Sequence, residues 1–242
     1  MGKKTTLEKN LTYSLELKQS SGSPFVERLL ELAAAEKQGS KTKTEFWKKG
    51  DFIPAADGII LRAVQPFDRE PYLVLQEHYC LMKSMIKEES FREMLWEEHN
   101  EDRALMMTVI KGNEYIGYCG IKDTTKDSWE IVIELMPEWT GMGIGTATMT
   151  AMLNELGKRL NVTSFAVKID PDNTASQKLF ERLGAVPDGL DTIFIHKEED
   201  LLRCEEDNLH LIDERLTALA SKFEVEPRRL LSHVLVYHLR WN

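Results

Sequence analysis

Apolar residues change their spacing several times along this chain, and each change predicts an element. Near the start, Phe25, Leu29, Leu32 and Ala33 share one helical face, with Ser23 as N-cap, Pro24 at the first helical position and Gly39 as the end. Residues 40–49 are polar without a period and read as a loop or linker. From Gly58 the pattern is that of a folded domain. Ile59, Ile60, Leu61 and Val64 predict a strand, and Asp68 opens a helical region carrying Tyr72, Leu75, Tyr79, Met82 and Ile86. A second helix centres on Phe91, Met94 and Leu95. Three β-rich runs follow at 104–110, 115–121 and 129–135, the first two joined by the turn Lys111-Gly112-Asn113-Glu114.

Further on, Met149, Met152, Leu153, Leu156 and Leu160 form one apolar helical face, and 164–169 reads as a buried strand. Asp170-Pro171-Asp172-Asn173 stops that strand and caps a helix over 174–183, which Gly184 ends. The tail predicts a strand at 192–195, a helical stretch over 198–223 and a last strand at 234–239. Strands and helices in this order predict an α/β fold with a mixed sheet. Residues 1–57 form an N-terminal extension, 58–242 the main domain, and 197–231 a helical insertion before the last strand. A rival reading makes 220–230 the turn of a helix-turn-helix and 230–239 its recognition helix. Against it, Glu224 replaces the glycine such turns favour.

Composition narrows the partners. Apolar content of 42% and charged content of 29% are ordinary for a globular protein. The net charge of -9 argues against nucleic acid and anionic membranes and favours a cationic partner. Between Asp188 and Leu230 stand 12 acidic and 6 basic residues, so the tail suits DNA least of all. Cys80, Cys119 and Cys204 are far apart and odd in number, which predicts a reducing, cytoplasmic setting without disulfides. The six histidines, His233 and His238 among them, lack metal-ligand spacing, so no metal is expected. No apolar run reaches 18 residues and no signal-peptide core is present, so no membrane association is expected; Met1-Gly2-Lys3-Lys4-Thr5-Thr6 is only a weak match to an acylation pattern. A homo-oligomer is left open.

The candidate chemistry begins at Trp139-Thr140-Gly141-Met142-Gly143-Ile144-Gly145-Thr146. Three alternating glycines let the backbone turn sharply and aim several N–H groups at one point. Those groups enter a helix, where the first turn lacks intrahelical partners and favours negative charge, so a phosphate or pyrophosphate suits the loop. The same glycines would also serve a tight strand-to-helix turn without a ligand.

Together with Asn173-Thr174-Ala175-Ser176-Gln177-Lys178-Leu179-Phe180-Glu181-Arg182-Leu183-Gly184, this loop resembles the two cofactor motifs of the GNAT superfamily of N-acetyltransferases, closest to the ribosomal-protein acetyltransferase branch. The resemblance covers about residues 58–196. It implies the GNAT acyl-CoA N-acyltransferase fold, acetyl-CoA as co-substrate, and pyrophosphate contacts from Thr140, Gly141, Met142, Gly143, Ile144, Gly145 and Thr146. It further implies an oxyanion N–H at Leu135 or Met136 and cofactor contacts from Asn173, Ser176 and Phe180, although Asn173 with Ser176 is explained by helix capping alone. Thr140 stands where the family usually has Arg or Gln. Phe180 stands where many members carry a tyrosine that protonates the departing thiolate, and Lys168 replaces a glutamate base used in another branch.

Glu130 and Glu134 are an even number of residues apart, so a regular strand turns both to one face and Ile131, Ile133 and Leu135 to the other. Either carboxylate could attract an ammonium group and take its proton, and either could be a solvated strand-face charge. The reading is therefore an acetyl-CoA-dependent N-acetyltransferase acting on a cationic primary amine, of a small molecule or a protein, by direct attack in a ternary complex. A non-catalytic acyl-CoA-binding protein is the alternative from another class.

Overall fold

The computed structural model describes residues 24–80, 83–193 and 195–242, and for residues 24–30, 32 and 33 the backbone alone. Eight strands make one sheet: β1 (Phe52–Pro54), β2 (Ile59–Ala63), β3 (Leu105–Lys111), β4 (Glu114–Ile121), β5 (Trp129–Leu135), β6 (Ser164–Ile169), β7 (Val186–Asp191) and β8 (Val234–Arg240). Their order is β1-β2-β3-β4-β5-β6-β8-β7. Among the described residues the helices are α1 (Pro24–Phe46), α2 (Arg69–Tyr79), α3 (Glu89–Asn100), α4 (Ile144–Leu160), α5 (Thr174–Arg182), α6 (Glu198–Asn208) and α7 (Glu214–Lys222). This is the mixed α/β architecture expected.

Neighbouring strands are antiparallel except β5 and β6, which α4 connects in parallel. That parallel pair has only two register positions, Trp129↔Phe165 and Glu130↔Ala166. Past Glu130 the two strands no longer pair. Alternation along β5 then sorts its side chains. Ile131 and Leu135 enter the main core with Met149, Met152, Leu153 and Leu156 of α4. On the opposite face, Val132 packs against a second cluster in which Tyr72, Leu73 and Leu75 of α2 meet Tyr118 and Met136.

Several expectations are corrected. Gly39 does not end α1, which runs on to Phe46. A Cβ at Gly39 would lie 2.4 Å from Arg103 Cα, so this glycine allows a close approach of helix and loop. The stretch read as a linker is mostly helical because Phe46 is buried in the core and Lys43 Nζ donates to Asn100 O (3.1 Å) and Glu101 O. The proposed cap Ser23 lies outside the described residues. The helix from Asp68 stops at Tyr79, and Ile86 sits in a separate 3-10 turn, Met85–Lys87; Met82 is not described.

The tail differs more. Its first strand is Val186–Asp191, not 192–195, of which Phe194 lies outside the described residues. Pro187 and Gly189 argue against a strand in sequence, yet at a sheet edge they are accommodated by a register shift between Pro187 and Leu190. The single helix over 198–223 is instead α6, a turn at Leu209–Leu211, and α7 capped by Asp213 Oδ1 accepting from Leu216 N (2.7 Å). The helix-turn-helix reading fails because β8 pairs along its length with β6, and Leu235, Tyr237 and Leu239 are fully buried.

Two consequences are measurable. Buried His99 stacks on Tyr72 (centroids 4.2 Å apart), and burial holds its pKa down at about 4 against 6.5. The unfolded chain takes that proton more readily, so the contribution is present above pH 6.5 and is lost as pH falls towards 4. Urea unfolding over this range should show a slope worth at most about 3 kcal/mol that His99→Gln removes. Separately, Gly117 on β4 has φ 149°, and a Cβ there would lie 2.2 Å from Glu134 O. Gly117→Ala should destabilise the fold by about 1–3 kcal/mol in thermal or urea unfolding.

Candidate active site

The glycine loop closes the wide end of the gap beyond β5. Gly141 (φ 75°) and Gly143 (φ 80°) adopt left-handed backbone that disfavours other residues, although a Cβ at either would meet open space. Gly145 serves differently, since its Cβ would come 3.2 Å from Leu179 Cδ2 and 3.9 Å from Ile133 Cδ1. The loop therefore owes two glycines to conformation and one to the close approach of α5. Thr140 Oγ1 donates to Pro137 O (2.8 Å) and braces the turn.

Gly143 is the N-cap of α4, and no side chain caps this end. The first intrahelical bond is Ala147 N to Gly143 O (3.1 Å), so the N–H groups of Gly143, Ile144, Gly145 and Thr146 have no helical acceptor. They border a cavity of about 410 Å³ whose walls include Ile133 and Leu135 of β5, and Ser176, Lys178, Leu179 and Arg182 of α5. Orphan donors, a helix dipole and two cationic side chains thus converge on one cavity, the electrostatics of an anion site.

The expected cofactor residues divide on this geometry. Leu135, Thr140, Gly141, Gly143, Gly145, Thr146 and Ser176 line the cavity. Ile144 is buried in the core and offers only its backbone, and Met142 is exposed. Asn173 Oδ1 accepts from Ser176 N (3.0 Å), which is the capping role. Phe180 is only 2% exposed and belongs to the core, since it lies with Gln177 on the buried face of α5. Met136 N donates to Ile116 O (2.9 Å), and Lys122 N to Glu130 O (3.0 Å). Even-numbered residues of β5 therefore spend their backbone groups on β4, while those of Ile131, Ile133 and Leu135 face the gap. Of the two oxyanion candidates, only Leu135 keeps an amide directed there.

The two glutamates share the face opposite that cavity but not an environment. About 13 Å of strand separates them. Glu130 is ion-paired with Lys122 (2.5 Å) and Lys168 (3.3 Å), and Lys168 also reaches Asp191 (2.8 Å). Among the described residues no cation pairs directly with Glu134, although Lys122 acts on it from a distance. Its Oε2 accepts from Gln76 Nε2 (2.7 Å), the Tyr118 hydroxyl also bonds it, and burial pushes its pKa up despite both donors. A desolvated carboxylate without an ion-pair partner takes up a proton more readily than a solvated one.

Lys178, Arg182, Gln76, Tyr79 and Tyr118 escaped the sequence reading. The first two stand four apart on α5, a spacing that places both on one helical face and could have been read beside the glycine loop. Gln76 and Tyr79 sit in a helix whose apolar period suggests packing alone.

A family model of the acetyltransferase (GNAT) domain matches residues 59–186. The chain belongs to the GNAT acetyltransferase family. It is accordingly a GNAT-type N-acetyltransferase. Among solved structures similar to this GNAT chain is the ribosomal-protein α-N-acetyltransferase RimL in complex with coenzyme A, at 15% identity and TM-score 0.56, covering 79% of this chain and 98% of RimL. Mycobacterium smegmatis RimJ in complex with a CoA disulfide is similar at 16% identity and TM-score 0.52, over 78% and 86% of the two chains. A spermidine N-acetyltransferase SpeG chimera from Vibrio cholerae and hSSAT is similar at 18% identity and TM-score 0.53, over 76% and 96%. At these identities the likeness is one of fold. No curated protein matches the chain. Among the described residues no helix is long and apolar enough to cross a membrane, and no group of three or more His, Cys, Asp or Glu is placed to hold a metal.

The Glu134 environment makes a sign prediction. Gln76→Leu removes a donor that favours the charged carboxylate, so the Glu134 pKa should rise further above 4.5. Carboxyl-resolved NMR titration of wild type and variant measures it.

Proposed function

We propose that this protein transfers an acetyl group from acetyl-CoA to a primary amine of a cationic small molecule or protein, by direct attack in a ternary complex. One observation carries the reading: an uncapped helix terminus flanked by Lys178 and Arg182 opens a cavity that ends at Leu135, next to Glu134 on the other face of the same strand. A pyrophosphate fits the orphan N–H groups, and an extended amide-bearing arm fits the unpaired edge of β5. When bound, acetyl-CoA supplies an activated acyl thioester. The Leu135 N–H is the donor for the carbonyl oxygen as negative charge builds there. Glu134 takes the proton of the attacking ammonium, directly or through one water, and Gln76 with Tyr118 holds its carboxylate in place. Glu130 anchors Lys122 and Lys168 rather than reacting.

The acceptor class rests on charge. A net charge of -9 attracts cations, and among the described residues Glu134 has no cationic partner within bonding distance. The similar RimL and SpeG structures are of enzymes named for a ribosomal protein and for spermidine, which brackets the same acceptor chemistry. The three free cysteines fit a cytoplasmic setting.

Thiol release from acetyl-CoA across a panel of polyamines, aminoglycosides and basic peptides tests this. Glu134→Gln should lower kcat/KM by about 10²-fold or more with CoA affinity retained, and should abolish an acid limb lying above the ordinary glutamate range. Glu130→Gln should cost far less. CoA binding without amine-stimulated thiol release from the wild type would sink the catalytic assignment.

A further inference from the structure

Thioester cleavage leaves an electron pair and a negative charge on sulfur, and a positioned acid speeds that departure. The hydroxyls near the inner end of the cavity differ in what already holds them. Thr140 Oγ1 donates to Pro137 O, Tyr72 donates to Leu95 O (3.3 Å), and Tyr118 is buried against Glu134. Phe180, on the helix that flanks the cavity, has no proton to give. Tyr79 stands apart. It is the last residue of α2, its side chain reaches out of the second cluster with 44% exposure, and its hydroxyl donates to Leu135 O (2.9 Å). Leu135 lines the cavity, and its backbone groups face the gap because those of Glu130 and Met136 serve β4. The phenol is therefore bonded to the residue whose N–H receives the acyl oxygen, one position along the strand from Glu134.

Resting on the acetyl-CoA reading above, we propose that Tyr79 is the general acid that protonates the departing CoA thiolate. Glu134 takes one proton from the acceptor ammonium, and the free amine then bonds the acetyl carbon. The carbon–sulfur bond breaks with its electron pair remaining on sulfur. The Tyr79 O–H leaves the Leu135 carbonyl and delivers its proton to that sulfur, and the second proton of the acylated nitrogen passes through water to the phenolate. No oxidant, reductant or metal enters the balance.

Tyr79→Phe, which keeps the ring and removes only the hydroxyl, tests the assignment in two ways. In turnover, kcat should fall by roughly 10²-fold with CoA affinity unchanged, and the deficit should shrink with an acyl thioester of a more acidic thiol. Without turnover, the thiol of bound CoA, followed by thiolate ultraviolet absorbance against pH, should titrate about one unit higher in Tyr79→Phe than in wild type, a tenfold weaker preference for the thiolate. Equal thiol titration in the two proteins, or a turnover deficit that does not depend on the leaving group, overturns the proposal. If the wild type acetylates no amine, the functional reading fails while the thiol titration still decides for or against Tyr79.

Discussion

The separation of β5 from β6 is the constraint on which the site depends. A parallel pair that stops after two register positions leaves a strand edge with N–H and C=O groups directed at no neighbouring strand. Such groups cost free energy when buried without partners, so the gap is a poor place for closed core and a good one for an extended ligand that pairs like a strand. Everything around it keeps it open and usable. α4 crosses over at one end and presents its bare N-terminus, α5 lines the wall with Lys178 and Arg182, and Gly145 lets that wall approach. Gly117 does the corresponding work on the β4 side, where a Cβ would strike the backbone of Glu134 and Leu135.

Charge placement then separates two residues that alternation alone makes equivalent. Glu130 lies where β5 and β6 are still paired, which brings Lys168 of β6 and Lys122 within ion-pair distance. Glu134 lies past the end of the pairing, half-buried under α2, and no cation of β6 pairs with it. Desolvation there raises its pKa, whereas partner cations occupy Glu130. The same strand thus carries one carboxylate held by lysines and one held by neutral donors because only part of it is paired.

The outlying segments belong to the same core. Arg159 of α4 donates to Phe46 O (2.9 Å) and pairs with Asp51 and Glu155, tying the chain before β1 to the crossover helix. At the other end, Tyr237 of β8 donates to Glu181 of α5 (2.8 Å), while fully buried Glu205 of α6 accepts from Arg228 (2.7 Å) and Ser232 (2.8 Å). These polar ties satisfy buried charges that would otherwise be costly, and the Glu205 bonds hold α6 against the turn that leads into the last strand.

Sequence alone determined the elements whose cause is local. β-rich runs marked β3 to β6, the apolar stripe marked α4, and alternating glycines marked a sharp turn into a helix, because each depends on backbone sterics and near-neighbour spacing. It also put Glu130 and Glu134 on one face. Long-range contacts decided what local pattern could not: Gly39 inside a helix because a loop passes close by, and Pro187 and Gly189 in an edge strand because β8 needed a neighbour; the strand predicted at the end of the chain pairs with β6. They also gave Glu130 its two lysine partners and brought Gln76 and Tyr79, more than fifty residues away in sequence, onto the end of β5. The register at which β5 parts from β6 is a property of the assembled sheet, and the choice between Glu130 and Glu134 follows from it.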